Sequence, residues 1–338
     1  MSDARTPLLA QHLTGILNDA LCLVPENQAL VIYDAEAPLT RLVTEAYRIA
    51  LPQARFVAFE TVAQDEIKSL FNEMKAGDLV VLIQSMNFRL NEFRIRLELF
   101  QRGLKTIEHT HLKRMSADQE EIYIQALEYD AGYYRPLGNA LKKRLDTAQN
   151  IIVECAGMKL VYAGAMEPAK LNIGDYSEMK NVGGTFPIGE VFTEPQNLQA
   201  VNGDALVFAF AGDDHLIRTY TPFPVTIRDG VLTAPNAPME FQTLLEKVRQ
   251  DEPTTVREFG LGLNRAMSKH RIVSDITAFE RQQGLHLSIG AKHAIYAKPG
   301  FHRKHGRYHV DIFVDAERIL IDEETIYQNG QFQLKEII

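Results

Sequence analysis

Five acidic and imidazole side chains in the second half of the chain have the residue types and spacing of metal ligands. Each enters a run of apolar or glycine residues that predicts a β-strand, and they are Glu190, Glu258, His286, His309 and Asp311. A carboxylate buried without a partner is unfavourable, so such glutamates need a cation, an arginine or a metal. Three carboxylates and two imidazoles could hold two divalent ions about 3.5–4 Å apart, an arrangement that activates a bridging water and polarises a carbonyl group.

The alternation of side chains along the predicted strands favours this interpretation. In residues 308–314, His309 and Asp311 fall on one face with Phe313, and in residues 284–290, His286 shares a face with small residues. Each segment alone has a simpler explanation: a half-exposed strand, a hydrogen-bonded core histidine, or an ion pair of Glu258 with Arg257. Only the four segments together make the metal site the stronger hypothesis. Glu194, which precedes a proline, is expected to be exposed.

The donor types also indicate which ions and which chemistry to expect. A carboxylate-rich set without cysteine suits zinc, cobalt or manganese. Cys22 and Cys155 cannot form a disulfide framework, and Cys155 lies in an apolar run without an evident base. The sequence contains no GxSxG elbow, no GxGxxG and no GxxxxGK[ST], so a serine nucleophile and a phosphate-binding loop are both disfavoured.

The elements that must position these residues differ between the two halves. The first half alternates strands and helices, which predicts an α/β domain with a mostly parallel sheet over residues 1–149. The second half has short strands with turn signals between them, which predicts a β-rich α+β domain over residues 150–338 that carries the metal site. The predicted strands of the first half are 29–33, 54–59 and 78–83, and its predicted helices are 40–50, 64–74, 90–101 and 117–148. The predicted turns of the second half are Ala156-Gly157, Gly183-Gly184, Asn202-Gly203, Asp229-Gly230 and Asn329-Gly330.

Composition and charge exclude several classes of protein. With 36 basic and 44 acidic residues the net charge is −8, which argues against a general nucleic-acid binder. No apolar run approaches the length of a membrane span, so we expect no membrane partner. The N-terminal MSDARTPLLAQHLTG lacks the pattern of a secretory signal, and we therefore expect a reducing, cytoplasmic location.

Four motifs, in this order, resemble those of the aminopeptidase T / aminopeptidase S family of metallopeptidases. They are GEVFTEP at 189–195, EFGLGLN at 258–264, GLHLSIG at 284–290 and HVD at 309–311. The resemblance covers residues 185–314 well and the first half only by its α/β pattern. It implies a dinuclear site held by the five residues named above, a homodimer, and release of N-terminal amino acids from small peptides. It also implies that Glu190 or Glu258 moves the proton of the attacking water.

The segment between the last two motifs departs from the family. His293 lies where the family has a tyrosine, with Tyr296 three residues further on, so His293 could act in catalysis or add a ligand. His302 and Arg303 begin a basic run that could recognise a substrate carboxylate, although a solvated loop would have the same composition.

Two other functions remain open. Ring-cleaving non-haem Fe(II) dioxygenases of hydroxypyridines look to share this fold, and His286, His309 and Asp311 could supply their two-histidine, one-carboxylate triad. The presence of both glutamates favours the hydrolase instead. A non-catalytic binding protein would hold no metal, so metal content distinguishes the three: two zinc-like ions, one iron, or none.

Overall fold

The structure is a computed structural model that describes residues 3–88, 95–290 and 308–335. In chain order the described helices are α1 (Thr6–Gly15), α2 (Pro38–Ala50), α3 (Gln64–Glu73), α4 (Ile95–Gln101), α5 (Glu120–Ala126), α6 (Ala131–Thr147), α7 (Met239–Asp251) and α8 (Ile276–Phe279). The described strands are β1 (Ala29–Tyr33), β2 (Arg55–Ala58), β3 (Leu79–Ile83), β4 (Lys105–His109), β5 (Asn150–Cys155), β6 (Met158–Ala163), β7 (Lys170–Asn172), β8 (Gly183–Thr185), β9 (Glu190–Thr193), β10 (Val201–Ala211), β11 (Ile217–Arg228), β12 (Val231–Thr233), β13 (Val256–Gly262), β14 (Gly284–Gly290), β15 (His309–Val314), β16 (Arg318–Ile321), β17 (Glu324–Gln328) and β18 (Gln331–Phe332).

The chain forms two compact units. Unit 1 comprises the chain up to Tyr134 together with Gly174–Ile188, and unit 2 comprises Arg135–Ile173 and the chain from Gly189 onward. The division into domains 1–149 and 150–338 stays a prediction.

Unit 1 contains a parallel sheet with helices between its strands. The strand order is β2-β1-β3-β4-β8, and every pairing is parallel. All five residues of β3 are buried, as expected of a central parallel strand covered on both faces. Apolar side chains of α3, including Leu70 and Phe71, pack with Ile32 of β1 and Leu82 of β3 in one core.

Unit 2 is built on a 13-stranded sheet in which every described pairing is antiparallel. The strand order is β18-β17-β16-β5-β6-β10-β15-β14-β13-β9-β7, with β11 and β12 extending from β10. The neighbours β9, β13, β14 and β15 hold all five predicted ligands. The predicted combination of a mostly parallel α/β part and a β-rich part agrees with these two sheets.

Three of the five predicted turns are two-residue hairpin turns, and two are not turns. Ala156-Gly157, Asp229-Gly230 and Asn329-Gly330 join successive antiparallel strands, and both residues of each pair have positive φ. Gly183-Gly184 instead begins β8, and Asn202-Gly203 lies inside β10. At Gly203 the backbone of β6 approaches so closely that a Cβ would collide with the Lys159 carbonyl.

The long helix predicted over 117–148 is wrong as a single element. It is divided into α5 and α6, and the break falls before Ala131. The Asp130 carboxylate accepts a hydrogen bond from the Tyr133 amide at 3.1 Å, so a new helix starts there.

None of the helices in the described parts of the chain combines the length and the apolar character needed to span a bilayer.

Candidate metal centre

Strand register places the predicted ligands on one face of the unit 2 sheet. Glu190 of β9 pairs with Gly262 of β13, and Gly260 of β13 pairs with His286 of β14. Residues directly opposite each other in an antiparallel pair project to the same face, and so do residues two apart on one strand. Glu190 and His286 therefore share a face across the glycines of β13.

Glu258 lies on the same face, because it is two residues before Gly260 on β13. The register between β13 and β14 shifts between Val256 and Phe259, both of which are fully buried. The bulge therefore lies next to Glu258, whose amide donates to Ser288 Oγ at 3.2 Å.

Three of the side chains converge on one point. His286 Nε2 lies 3.2 Å from Glu258 Oε1 and 3.3 Å from Glu190 Oε1, and all three side chains are buried. Their ligand atoms all lie within 4.8 Å of one another. We call this group the Glu–Glu–His cluster.

The cluster fits a divalent cation. Metal–ligand bonds of about 2.1 Å give ligand–ligand separations of roughly 3.0–3.4 Å in octahedral or tetrahedral geometry, which brackets both measured distances. Carboxylate and imidazole donors suit the divalent ions of zinc, cobalt and manganese. Gly260 leaves the necessary space, since a Cβ there would collide with the His286 ring. Within the described residues, the buried Nδ1 of His286 has no hydrogen-bond partner, so its Nε2 is the atom that makes the polar contacts of the ring.

His309 and Asp311 form a pair beside the cluster. Asp311 is opposite Ser288 in the register of β14 and β15, which places it on the same face as His286. His309 Nε2 lies 3.1 Å from Asp311 Oδ1, and Asp311 is buried whereas the His309 side chain is 38% exposed. The structure thus brings together a three-ligand cluster and a neighbouring His–Asp pair, and the assignment of all five as ligands stays a prediction.

The ionisable side chains of this site shift one another's pKa values. Burial alone would lower the pKa of His286, but Glu190 and Glu258 raise it to about 10. Asp311 raises the pKa of His309 to about 9 against the opposing effect of burial. Burial would raise the pKa of Glu190, yet Arg281 and His286 hold it below its ordinary value. The face therefore collects positive charge on its imidazoles, as expected of a site whose carboxylates need a cation.

Arg281 is a site residue that the sequence analysis missed. Its Nη1 lies 3.6 Å from Glu190 Oε2, it contacts Glu280, and its side chain is only 10% exposed. The ion pair considered between Arg257 and Glu258 is not the contact the structure records, because Arg257 Nε donates to the Gly290 carbonyl at 3.2 Å. The only available signal for Arg281 was its position three residues before β14, within the turn that leads to His286.

Two further expectations have definite outcomes. Glu194 was expected to be exposed, and this is wrong: it is 2% exposed. Cys155 was disfavoured as a nucleophile because no base is evident near it; it is buried, and burial raises the pKa of its thiol to about 11.

The predicted catalytic His293 and the predicted substrate-binding residues Tyr296, His302 and Arg303 lie outside the described residues. Their roles stay predictions.

Comparison with known proteins identifies the fold and no family. The sequence matches no protein-family model and no curated protein. A solved structure of 2,5-dihydroxypyridine dioxygenase from Pseudomonas putida KT2440 superposes with a TM-score of 0.67 at 16% identity, covering 99% of this chain and 100% of that one. Wild-type AmpT from Thermus thermophilus superposes with a TM-score of 0.60 at 14% identity, covering 98% of this chain and 100% of that one. The chain therefore shares, over nearly its whole length, the fold of these two proteins.

Proposed function

We propose that the protein is a metal-dependent hydrolase that releases N-terminal amino acids from small peptides. The observation that carries this proposal is the buried Glu–Glu–His cluster, in which the imidazole Nε2 lies within 3.3 Å of both carboxylates. A superposition with AmpT over 98% of the chain supports the proposal at the level of the fold.

The residues of the face would hold the metal and prepare its surroundings. Glu190, Glu258 and His286 would bind one ion, and His309 with Asp311 would complete a site for a second. Such ions polarise a carbonyl group and lower the pKa of bound water towards neutrality.

The proton of the attacking water needs an acceptor, and we assign that role to Glu258. The neighbouring guanidinium of Arg281 favours the charged form of Glu190, which makes Glu190 a good ligand and a poor proton acceptor. Arg257, the arginine next to Glu258 in sequence, donates to the Gly290 carbonyl instead of contacting Glu258. Glu258 is therefore the carboxylate better suited to take up and return a proton.

A ring-cleaving Fe(II) dioxygenase is the second candidate, because the dioxygenase structure gives the higher of the two TM-scores, 0.67 against 0.60. That chemistry uses two histidines and one carboxylate. The cluster in this chain has one histidine and two carboxylates instead, which supports the hydrolase.

Metal analysis followed by two activity assays separates the candidates. The protein would be purified without added metal, analysed for its elements, and assayed on amino-acid amides and, with oxygen, on dihydroxypyridines. Amide hydrolysis that is lost on chelation and restored by zinc, cobalt or manganese is the expected result. Oxygen uptake with one bound iron would replace the proposal by the dioxygenase, and a folded protein with neither metal nor activity would be a binding protein.

A further inference from the structure

A cavity of about 470 Å³ lies against the metal centre, with His309 and Asp311 in its wall. Its volume is in the range of small-molecule sites. Leu244 and Lys247 of α7 also line the cavity, as does Asp213. A second cavity of about 480 Å³ shares Asp213, Leu244 and Lys247, so Lys247 lies where the two cavities meet.

Lys247 is the one lysine or arginine among the described residues that line the cavity at the metal centre. Its Nζ lies 2.7 Å from Asp213 Oδ2, and both side chains are largely exposed, 44% and 62%. An exposed ion pair of this kind contributes little net stability. A carboxylate that enters the cavity can therefore replace Asp213 as the partner of Lys247 with little loss of stability.

Apart from His309, which is paired with Asp311 at 3.1 Å, the other charged residues of the lining are acidic. Asp213, Glu280 and Asp311 would repel a substrate carboxylate, whereas they are compatible with the positively charged amino end of a peptide. Glu280 also contacts Arg281, which is next to the cluster. The charge distribution thus assigns the amino end of a ligand to the metal side and its negative end to Lys247.

We propose that Lys247 binds the free α-carboxylate of a short peptide whose amino end lies at the metal centre. This inference rests on the proposed function and specifies its substrate class as very short peptides with a free carboxyl terminus. Lysine is a suitable residue for this, because its ammonium makes charge-assisted hydrogen bonds to a carboxylate.

The test compares a dipeptide with its C-terminal amide. For the metal-loaded protein, kcat and KM are measured for alanylalanine and alanylalaninamide, in the wild type and in Lys247→Gln. The acid-over-amide ratio is kcat/KM for alanylalanine divided by kcat/KM for alanylalaninamide. In Lys247→Gln the loss of one charge-assisted hydrogen bond at a partly exposed site lowers this ratio by about tenfold, mainly through a higher KM for the acid. Lys247→Arg keeps the charge and recovers most of the ratio.

Lys269→Gln is the matched control, because Lys269 also forms a 2.7 Å ion pair with an aspartate, Asp315, and is 45% exposed. Its acid-over-amide ratio stays at the wild-type value. A ratio in Lys247→Gln equal to that of this control would overturn the inference even though peptide hydrolysis continued.

A binding measurement without turnover separates this inference from the proposed function. The reduced-bond analogue of the dipeptide, which cannot be hydrolysed, and its amide are titrated calorimetrically into the metal-loaded protein. A protein that fails to hydrolyse peptides yet binds the acid about tenfold more weakly after Lys247→Gln supports the carboxylate site and contradicts only the hydrolase. Equal binding of acid and amide by the wild type contradicts the carboxylate site.

Discussion

At the scale of single residues, His286 is the centre of the site. Its buried ring makes its polar contacts through Nε2, which lies 3.2 Å from Glu258 and 3.3 Å from Glu190. One imidazole facing two carboxylates is better explained as a set of metal donors than as a core hydrogen bond.

Glu258→Gln tests this interpretation, because it keeps the volume of the side chain and removes its charge. We expect metal affinity to fall roughly 100-fold or more, since loss of a mere outer hydrogen-bond partner already costs about 10- to 100-fold. The melting temperature measured without metal should stay the same or rise, because one buried carboxylate has been removed. Glu120→Gln, at a buried glutamate paired with Arg5, is the control and should keep its metal. Full metal occupancy in Glu258→Gln would show that Glu258 is not a ligand.

At the scale of secondary structure, the site depends on four adjacent antiparallel strands and on the glycines between their polar residues. The period-two alternation of residues 284–290 and 309–314 was sufficient to predict which side chains share a face. Because Gly260 lies opposite His286, it is the position where any side chain would occupy the space of the ring.

Gly260→Ala therefore should disturb the metal site, because the added methyl group would collide with the His286 ring. We expect the His286 ring to be displaced and metal affinity to fall at least about tenfold, in line with the sensitivity of metal sites to ligand orientation. Circular dichroism should show that the β-structure is retained. Gly15→Ala is the control, because Gly15 is helical and a Cβ there would meet the Tyr129 carbonyl only at an ordinary contact distance of 4.0 Å, so its metal affinity should equal that of the wild type. Wild-type affinity in Gly260→Ala would mean that His286 does not bind the metal through Nε2.

Other features of the elements could not be obtained from local sequence. Gly183-Gly184 has the composition of a turn, and it forms a strand because its backbone pairs with β4, which is more than 70 residues away in sequence. The β-bulge between Val256 and Phe259 is likewise not specified by any alternation rule. Arg281 lies outside any strand, so only the folded chain shows that it reaches Glu190. Sequence thus predicted the ligands on regular strands, and missed the groups whose positions depend on pairings between distant segments.

At the scale of the whole molecule, unit 1 contains a titratable group that should control acid stability. His109, at the end of β4, is fully buried between two hydroxyl groups, with Nε2 2.9 Å from Tyr47 and Nδ1 2.9 Å from Tyr123. Burial lowers the pKa of His109 to about 3. Because the folded pKa lies below the ordinary value of 6.5, the neutral ring stabilises the fold above pH 6.5, and this contribution is lost as the pH falls towards 3.

His109→Gln should make the free energy of unfolding less dependent on pH. Between pH 6.5 and 4.5 the wild type should lose roughly 2 kcal/mol more than the variant, because the unfolded chain takes up a proton that the folded chain excludes. Urea titrations at several pH values measure the difference, with His270→Gln at an exposed histidine as the control. Parallel pH profiles of the wild type and His109→Gln would contradict a neutral buried imidazole.

The predicted homodimer and cytoplasmic location also belong to this scale, and both stay predictions. Sedimentation of the purified chain with and without metal would establish the number of subunits and show whether the metal affects their association.

The most direct measurement of the central claim is the metal content of the protein purified without added metal, repeated after titration with zinc, cobalt, manganese and iron(II). The account predicts at least one tightly bound divalent ion per chain in the wild type and a marked loss of that ion in Glu258→Gln. A correctly folded wild-type protein that contains no metal, and takes up none of the four ions at micromolar concentration, would contradict it.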